Sequence, residues 1–314
     1  MGYEYLVFLL VSFFLCQLAF SSSVTHLCSR DESISLLKFK NTLTVDPSAS
    51  YYWGYHYGPQ SYPKTRSWNM SRDCCSWDGV VCDDFTGHVI ELDLGCSQLE
   101  GKIDSNSSLF QLSHLRMLNL SWNNFSNSHI SPEFDSNSLN GAIPSWVFSL
   151  PSLTELSLSN NHFSGQLEDF NSNTLEWIFL EHNQLQGPLP RSLQNLVNLI
   201  ELDLSYNNFS GNVDVSFFSN LKQLRSLSLS YNSISLTNEN KVKSTIPKYL
   251  ESLFLSACEV KELDFLRSTE ELSYLDLSNN KIQGRIPDWA WSNWMHMEYL
   301  NLSRNMLTSI DQIS

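Results

Sequence analysis

Cysteine is the residue type whose spacing in this sequence most directly suggests chemistry. Apart from the apolar N-terminal segment, four of the cysteines cluster early in the chain: Cys28, Cys74, Cys75 and Cys82. In an oxidising compartment such a cluster is expected to form disulfides. A bridge between Cys74 and Cys75 is disfavoured because neighbouring Cα atoms are only about 3.8 Å apart. Two pairings stay open: Cys28 with Cys74 and Cys75 with Cys82, or Cys28 with Cys75 and Cys74 with Cys82.

Other chemistry finds little support in the sequence. Zinc binding by the four thiols is disfavoured because they lack the paired C-x-x-C units of zinc sites. The 8 His are scattered singly, and the H-E-x-x-H, G-x-S-x-G, P-loop and kinase motifs do not occur. The paired acids Asp83 and Asp84 sit beside a predicted disulfide and not across a cleft. We therefore predict a protein that is not an enzyme, with no catalytic residue, metal site or cofactor.

The charge balance excludes one class of partner. The chain has 19 Lys and Arg against 33 Asp and Glu, giving a formal net charge of -14. Nucleic-acid binding depends on Lys and Arg contacts to phosphates, so we expect no nucleic-acid partner. Acidic residues are spread along the chain without acidic tracts, which favours solubility over attraction to one basic partner.

The N-terminus indicates the compartment. Residues 6–20 form an apolar run that is too short to span a bilayer, and small residues follow it, which is typical of a signal peptide over residues 1–23. We therefore expect the secretory pathway and a chain without a transmembrane segment. Six N-glycosylation sequons agree with secretion and require surface positions: Asn69, Asn106, Asn119, Asn124, Asn208 and Asn301.

Residues 24–88 are predicted to form a cysteine-paired N-terminal cap. Ser29 and Glu32 have the spacing of a capping box, and apolar residues follow at helical spacing, which predicts a helix ending near Asp46 and Pro47. A Tyr- and Gly-rich insertion covers residues 51–62. We favour a loop packed against the cap over a contact surface for this insertion.

One sequence template recurs from Val89 onward: L-x-x-L-x-L-x-x-N-x-L-x-G-x-I-P. From Asn161 onward its Asn position recurs every 22 to 26 residues, which is the period of a leucine-rich repeat. The template predicts about nine registered copies over residues 89–314, with an irregular coil at 124–150 and no C-terminal cap. Their Asn positions are Ser97, Asn123, Asn161, Asn183, Asn207, Asn232, Cys258, Asn280 and Asn305.

These elements predict an α/β solenoid: a curved leucine-rich-repeat horseshoe with a parallel concave sheet and a disulfide-bonded N-terminal cap containing a helix. Each L-x-L segment forms a short strand with buried leucines, and each Asn amide satisfies backbone groups where the chain leaves the strand. Gly and Ile-Pro positions allow tight, non-helical returns on the convex side. The curvature follows because the outer side of each coil is longer than the strand side.

The outward-facing residues of the strands are the available ligand contacts, since side chains alternate across a strand. Aromatic residues are frequent among them, and such residues concentrate binding energy at interfaces. The candidate ligand-binding residues are Trp122, Trp177, Phe179, Glu181, Tyr206, Phe254, Tyr274 and Tyr299.

Three segments carry a family resemblance: CSRDESISLLKFK, the stretch containing CCSWDGVVC, and LDLSNNKIQGRIPDWAWSNW. They resemble the ectodomain of plant leucine-rich-repeat receptor-like proteins, most closely the tomato leaf-mould (Cladosporium) resistance receptors. The resemblance implies a plasma-membrane immune receptor that detects a pathogen effector protein or peptide in the apoplast and engages an adaptor or co-receptor kinase. It also implies pairing of Cys28 with Cys74 and of Cys75 with Cys82.

Members of that family continue through more repeats, a C-terminal cap, a transmembrane helix and a cytoplasmic tail, whereas this sequence stops at Ser314. We therefore expect the N-terminal part of such an ectodomain, located in the apoplast or at the outer face of the plasma membrane. The alternative is a soluble polygalacturonase-inhibitor-like defence protein or decoy. That alternative is less favoured because such inhibitors end in a cysteine-bonded cap, and no cysteine follows Cys258.

Overall fold

The computed structural model describes residues 27–50, 61–125, 141–238 and 246–309. The predicted signal peptide and most of the Tyr-rich insertion lie outside the described residues. Within the described part of the chain, each helix is too short or too polar to cross a bilayer.

The cap contains helix α1 (Arg30–Asn41), which ends before the predicted Asp46. Ser29 is its N-cap, and the Ser29 hydroxyl accepts a hydrogen bond from the Asp31 amide at 3.3 Å. The second half of the predicted capping box does not form. The Glu32 carboxylate turns away from the helix end and accepts a hydrogen bond from the Val89 amide at 3.3 Å. Glu32 therefore joins the cap to the first repeat.

Two disulfides fasten the cap, and their pairing is the one that the family resemblance implies. Cys28 pairs with Cys74 and Cys75 with Cys82, with Cα–Cα distances of 5.6 and 5.5 Å. All four sulfurs are thereby used and none can ligate zinc as a thiolate.

Short strands make up most of the regular structure. In chain order they are β1 (Thr44–Val45), β2 (Val80–Cys82), β3 (Val89–Asp93), β4 (Leu99–Gly101), β5 (Met117–Asn119), β6 (Asn124–Phe125), β7 (Glu155–Ser157), β8 (Ser164–Gln166), β9 (Trp177–Phe179), β10 (Gln184–Gly187), β11 (Glu201–Asp203), β12 (Asn208–Asp214), β13 (Ser226–Ser228), β14 (Ser233–Thr237), β15 (Ser252–Phe254), β16 (Tyr274–Asp276), β17 (Gln283–Arg285), β18 (Tyr299–Asn301) and β19 (Met306–Ser309).

A ten-stranded sheet runs the length of the described repeats in the order β18-β16-β15-β13-β11-β9-β7-β5-β3-β2. Strand β2 comes from the cap and pairs antiparallel with β3, while every later pair is parallel. The register places Leu202 beside Ile178 on one side and Leu227 on the other. Stacked repeats with a parallel sheet and a helix-containing, disulfide-bonded cap confirm the predicted fold class.

The strands form because each L-x-L segment points its apolar side chains to one side. Leu202 and Leu204 are fully buried and contact the leucines of adjacent coils within one core. Full burial of such a side chain contributes roughly 1.5 to 3 kcal/mol before its entropy cost. The residues between them face outward, which sets up the surface described below.

The return side of the coils differs from the prediction of non-helical returns. Short 3₁₀ helices follow the Pro of the template, as at Ser145–Ser149 and Arg191–Asn195, and a six-residue helix, α2 (Asp288–Asn293), follows Pro287. Between the strand side and these helices, β8, β10, β12 and β14 form a second, parallel sheet. Pro cannot continue a strand ladder but suits a first helical turn, which explains where the helices start.

The Asn positions form the expected ladder. The Asn207 side-chain amide donates to the carbonyls of Leu180, Leu204 and Ser205 at 2.9, 3.2 and 3.1 Å. Its side-chain oxygen accepts from the Leu185 amide at 3.0 Å. One Asn therefore satisfies four backbone groups, two of them in the preceding coil.

The long interval between Asn123 and Asn161 does not interrupt the sheet. Strand β5 pairs directly with β7, with Leu118 beside Leu156. The two coils are therefore neighbours in the sheet. Residues 126–140, which make up most of the predicted irregular coil, lie outside the described residues.

Candidate functional site

The outward surface of the sheet is organised in rows that run across the strands. The first outward residue of each strand forms a leading row: Glu91, Met117, Glu155, Trp177, Glu201, Ser226, Ser252, Tyr274 and Tyr299. The second forms a trailing row: Asp93, Asn119, Ser157, Phe179, Asp203, Ser228, Phe254, Asp276 and Asn301. Neighbouring strands are about 4.8 Å apart, so each residue contacts its equivalents in adjacent repeats.

Two further rows follow where the chain leaves the strands. A serine row contains Gly95, Ser121, Ser159, Glu181, Ser205, Ser230, Ser256, Ser278 and Ser303. A left-handed row precedes the Asn ladder and contains Cys96, Trp122, Asn160, His182, Tyr206, Tyr231, Ala257, Asn279 and Arg304, all with φ between 52 and 59°. This backbone conformation is disfavoured for residues other than Gly. It recurs in every coil because it turns the ladder residue that follows, which is Asn in most coils, toward the inside.

All eight predicted ligand-binding residues lie on these rows, but they are not one cluster. Trp177, Phe179 and Glu181 follow one another on a single coil, and Tyr206 lies on the next coil. Trp122 is two strands away from that coil, on the coil of β5. The last group lies towards the other end of the sheet and contains Phe254, Tyr274 and Tyr299.

Glu181 replaces the serine that most coils have at its position. Its Oε2 atom is buried and has no hydrogen-bond partner among the described residues. Burial, followed by the charge of Asp203, raises the pKa of Glu181 to about 7. The carboxyl group is therefore partly protonated at neutral pH. It lies on the same coil as Trp177 and Phe179, and Asp203 belongs to the next coil.

An aromatic stack that the sequence analysis missed borders this carboxyl group. His182, Tyr206 and Tyr231 lie on consecutive coils of the left-handed row. Their rings stack at centroid distances of 4.2 and 4.5 Å with interplanar angles of 9 and 19°. The sequence does indicate that these three residues are equivalent, because each of them immediately precedes an Asn of the template. Of the residues at that position, the predicted ligand-binding set includes Trp122 and Tyr206 but not His182 and Tyr231.

The stack is a partly exposed surface. Tyr206 and Tyr231 are 45% and 46% exposed, so part of each side chain is available to a ligand. Burial lowers the pKa of His182. Burial, and then the neighbouring Tyr231, raises the pKa of Tyr206. Both shifts favour the neutral forms of His182 and Tyr206.

The second aromatic group is tied into polar contacts. The Tyr274 hydroxyl donates to the Glu298 carboxylate, and the Tyr299 hydroxyl donates to Asp276 at 3.3 Å. Asn301 also donates to Asp276, at 3.0 Å. These contacts orient the rings of this group, whereas the first group presents apolar surface.

All charged residues of the leading, trailing and serine rows are acidic. These rows contain Glu91, Asp93, Glu155, Glu181, Glu201, Asp203 and Asp276, and no Lys or Arg. Burial, and then the charges of Glu91 and Asp93, raises the pKa of Glu155. Within these rows Asp93 is neutralised by Lys64 of the cap at 2.9 Å. The expectation that negative charge is merely diffuse is thus wrong for this face, because the repeat register gathers acids that are far apart in the sequence.

The six sequons occupy different environments. Asn69, Asn106 and Asn208 are exposed, and Asn124 is half-buried. Asn119 and Asn301 lie on the trailing row, where their amides donate to Asp93 and Asp276.

The free cysteines of the described residues are not activated. Cys258 lies in the Asn ladder and Cys96 in the left-handed row. Burial raises the pKa of Cys258 to about 12 and that of Cys96 to about 11. Because the thiolate is the nucleophilic form, neither position suits covalent catalysis.

Comparison with known proteins identifies two kinds of unit. The leucine rich repeat N-terminal domain family matches residues 29–83. Leucine Rich Repeat families match residues 111–128, 152–173, 174–196, 198–221 and 271–293. Neither family describes a catalytic domain.

Curated relatives are plant receptors. Receptor-like protein Cf-9 of Solanum pimpinellifolium is 61% identical over 132 residues, which is 41% of this chain and 15% of Cf-9. Receptor-like protein 9DC1 of the same species is 37% identical over 314 residues, covering 93% of this chain and 30% of that protein. The chain thus spans under a third of the length of these relatives.

Solved structures show the same architecture. The ectodomain of the Arabidopsis receptor kinase HAESA, in complex with an extended IDA peptide hormone, matches with a TM-score of 0.65 and 25% identity, covering 88% of this chain and 41% of that one. A HAESA complex with IDA and the co-receptor SERK1 matches with a TM-score of 0.53 and 26% identity, covering 89% and 42%.

Proposed function

Because the chain is a leucine-rich-repeat homologue of Cf-9 and related plant receptor-like proteins, we propose that its strand face is the ligand-binding surface of an immune receptor ectodomain. The ligand is a pathogen-derived protein or peptide. The proposed location is the apoplast or the outer face of the plasma membrane.

One observation carries this proposal: Trp177 and Phe179 lie on the acidic rows, next to the stack of His182, Tyr206 and Tyr231. Half-exposed aromatic rings on rigid strands lose little conformational entropy on binding and provide large contact areas. An apolar area of this kind at the centre of a regular polar surface favours binding over a purely structural role.

The charge of the face indicates the chemistry of the ligand. Besides Asp93, which Lys64 neutralises, the rows hold six acids and no Lys or Arg, so this face attracts cations and repels acidic partners. We therefore infer that the bound segment is extended, carries Lys or Arg, and places an apolar or aromatic side chain against Trp177 and Phe179.

A kinase partner is part of the proposal. HAESA, whose ectodomain shares the fold, is known in complex with both a peptide hormone and the co-receptor SERK1. By analogy, an adaptor or co-receptor kinase would act with this ectodomain in the complete receptor. The analogy concerns the class of partner and not the position of its contact.

The experiment is a selection of peptides by the secreted chain from a random peptide library, followed by binding measurements. Enriched peptides should be cationic, and the Trp177→Ala and Phe179→Ala variants should weaken their binding at least about tenfold. Ser226→Ala, in the leading row two strands away from Trp177, is the matched control and should retain affinity. Secreted proteins of a leaf-infecting fungus are then searched for the selected sequence and tested directly.

Two results would reject the proposal. Enrichment of acidic peptides would contradict the role of the acidic rows. Equal losses of affinity for Trp177→Ala and Ser226→Ala would show that the aromatic group does not define the site. Thermal unfolding of each variant separates these results from misfolding, since substitutions at these half-buried positions should cost less than the roughly 2 to 5 kcal/mol of a core truncation.

A further inference from the structure

Three potential metal ligands meet where the cap joins the first two repeats. Glu32 lies in the first turn of α1, His88 lies between β2 and β3, and His114 precedes β5. One donor atom from each residue lies within 4.8 Å of the other two. The three residues come from separate segments of the chain, so the cluster is a product of the fold and not of a local motif.

Glu32 is the buried member of the cluster. It is 7% exposed, and its Oε1 atom lies 3.4 Å from His88 Nδ1 and accepts from the Val89 amide. Its Oε2 atom is also buried but has no hydrogen-bond partner among the described residues. A buried carboxylate oxygen without a partner is costly, and a bound cation is one way to satisfy it.

The two imidazoles are held face to face. The rings of His88 and His114 stack with centroids 3.8 Å apart and planes 11° from parallel. An ion pair between His88 and Glu32 alone would not require a second imidazole at this position. The Ser113 hydroxyl lies 3.3 Å from His114 Nδ1, which leaves His114 Nε2 as the nitrogen for an ion. Second contacts of this kind commonly orient metal-binding imidazoles.

We propose that Glu32, His88 and His114 bind a divalent transition-metal ion, with Zn²⁺ as the best fit. Two imidazole nitrogens and one carboxylate are ligands that suit Zn²⁺, and the fourth position is open to water. Ligand atoms around tetrahedral Zn²⁺ are about 3.3 Å apart, given bonds of about 2.0 to 2.1 Å. Imidazole lone pairs lie in the ring plane, so the exposed His114 ring would turn out of its stack on His88 to reach the same ion.

Such an ion would join the cap to the repeats. The carboxylate belongs to the cap helix, whereas the two imidazoles flank the first two parallel strands. Binding would stabilise the folded chain because the separated segments of an unfolded chain do not form the site. This role is independent of the ligand-binding function proposed above.

The test uses the secreted full chain after treatment with EDTA and dialysis. Calorimetric titration with ZnCl₂ should show one site, and Co²⁺ should give the visible absorption of a tetrahedral complex. Saturating Zn²⁺ should raise the melting temperature by about 5 °C. His88→Gln and His114→Gln should each weaken Zn²⁺ binding at least about tenfold.

His162→Gln and Cys96→Ser are the controls, because His162 is an exposed single imidazole elsewhere on the chain and Cys96 is a free thiol. Both should bind Zn²⁺ like the unmodified protein. Absence of a one-to-one Zn²⁺ complex would overturn the proposal. So would Zn²⁺ binding that survives both His88→Gln and His114→Gln. Peptide binding by the strand face measured with and without EDTA keeps this result separate from the proposed receptor function.

Discussion

The Asn280 side chain hydrogen-bonds the backbone at Cys258 in the preceding coil. Cys258 has no side-chain amide with which to do the same for the coil before its own. The side-chain oxygen of Asn280 accepts from the backbone amides of Cys258 at 3.0 Å and of Val260 at 2.9 Å. Asn123 makes the same pair of contacts to Ser97 and Leu99. Ser97 and Cys258 are the two ladder positions without Asn, and in both coils a second left-handed residue follows, Gln98 or Glu259.

Asn280→Ala should therefore be unusually destabilising. The substitution leaves three buried groups unpaired: the Cys258 and Val260 amides and the Leu255 carbonyl. The carbonyls of Leu277 and Ser278 keep donors from the Asn305 side chain and the Ala257 amide. Each unsatisfied buried group costs about 1 to 3 kcal/mol, so the loss should exceed about 3 kcal/mol. Chemical denaturation of the secreted chain measures it.

Asn305→Ala is the comparison variant. Asn305 lies in a more exposed coil, and its side-chain oxygen accepts from one backbone amide, that of Ile282, where Asn280 accepts from two. Its loss should be smaller, about 1 to 2 kcal/mol, because water can reach the groups that it leaves unpaired. Equal losses for the two variants would show that burial of the ladder does not set its contribution.

The two disulfides should differ in their contributions to stability. The bridges join residues separated by 46 positions for Cys28–Cys74 and by 7 for Cys75–Cys82. Loop-closure entropy then predicts about 4 kcal/mol for the first bridge and about 2.5 kcal/mol for the second. Denaturation of the two double Cys→Ala variants measures the difference, and a larger effect from the short bridge would contradict the entropic explanation.

Glycan occupancy should follow the exposure of the sequons. Asn69, Asn106 and Asn208 are exposed and should be modified in protein secreted from plant cells. Asn119 and Asn301 should be modified least, because their amides already bond Asp93 and Asp276 on the strand face. Site-resolved mass spectrometry measures the occupancy. Full occupancy at Asn119 and Asn301 would place glycans over the proposed ligand surface and argue against it.

The repeat fold could be predicted from the sequence because its determinants are local. Each L-x-L segment and its Asn lie within one coil, so the period alone assigns the strand around Leu202 and the ladder contact of Asn207. The left-handed row was harder to predict, since strand alternation says nothing about the backbone after the strand ends. Tyr231 was therefore overlooked although it occupies the same position as Tyr206.

Contacts between distant segments could not be predicted. Glu32 has the spacing of a capping-box residue, and only the packing of the cap on the first repeat turns its carboxylate toward His88. Likewise, no local pattern shows that His114 stacks on His88 or that acids from successive coils form one face. Such contacts depend on the register between coils, which the sequence of a single coil does not encode.

The last prediction concerns Glu181 and pH. Burial and the charge of Asp203 raise the pKa of Glu181 from 4.5 to about 7 in the folded chain. The folded state therefore holds a proton that the unfolded state releases between about pH 4.5 and 7. By linkage, the stability that this proton provides is fully present below pH 4.5 and is lost as the pH rises through 7. Ionised Glu181 thus opposes folding at pH 8.

Glu181→Gln removes this dependence because the amide stays neutral at every pH. Compared with the unmodified chain, the variant should gain about 1 to 3 kcal/mol in free energy of unfolding between pH 5 and pH 8. Urea denaturation at both pH values measures the gain. Glu201→Gln, on the leading row of the next coil, is the control. It removes one charge from the same face, but Glu201, unlike Glu181, has no buried carboxylate oxygen without a hydrogen-bond partner. A gain for Glu201→Gln equal to that for Glu181→Gln would mean that the charge of the whole face, and not the burial of Glu181, controls the pH dependence.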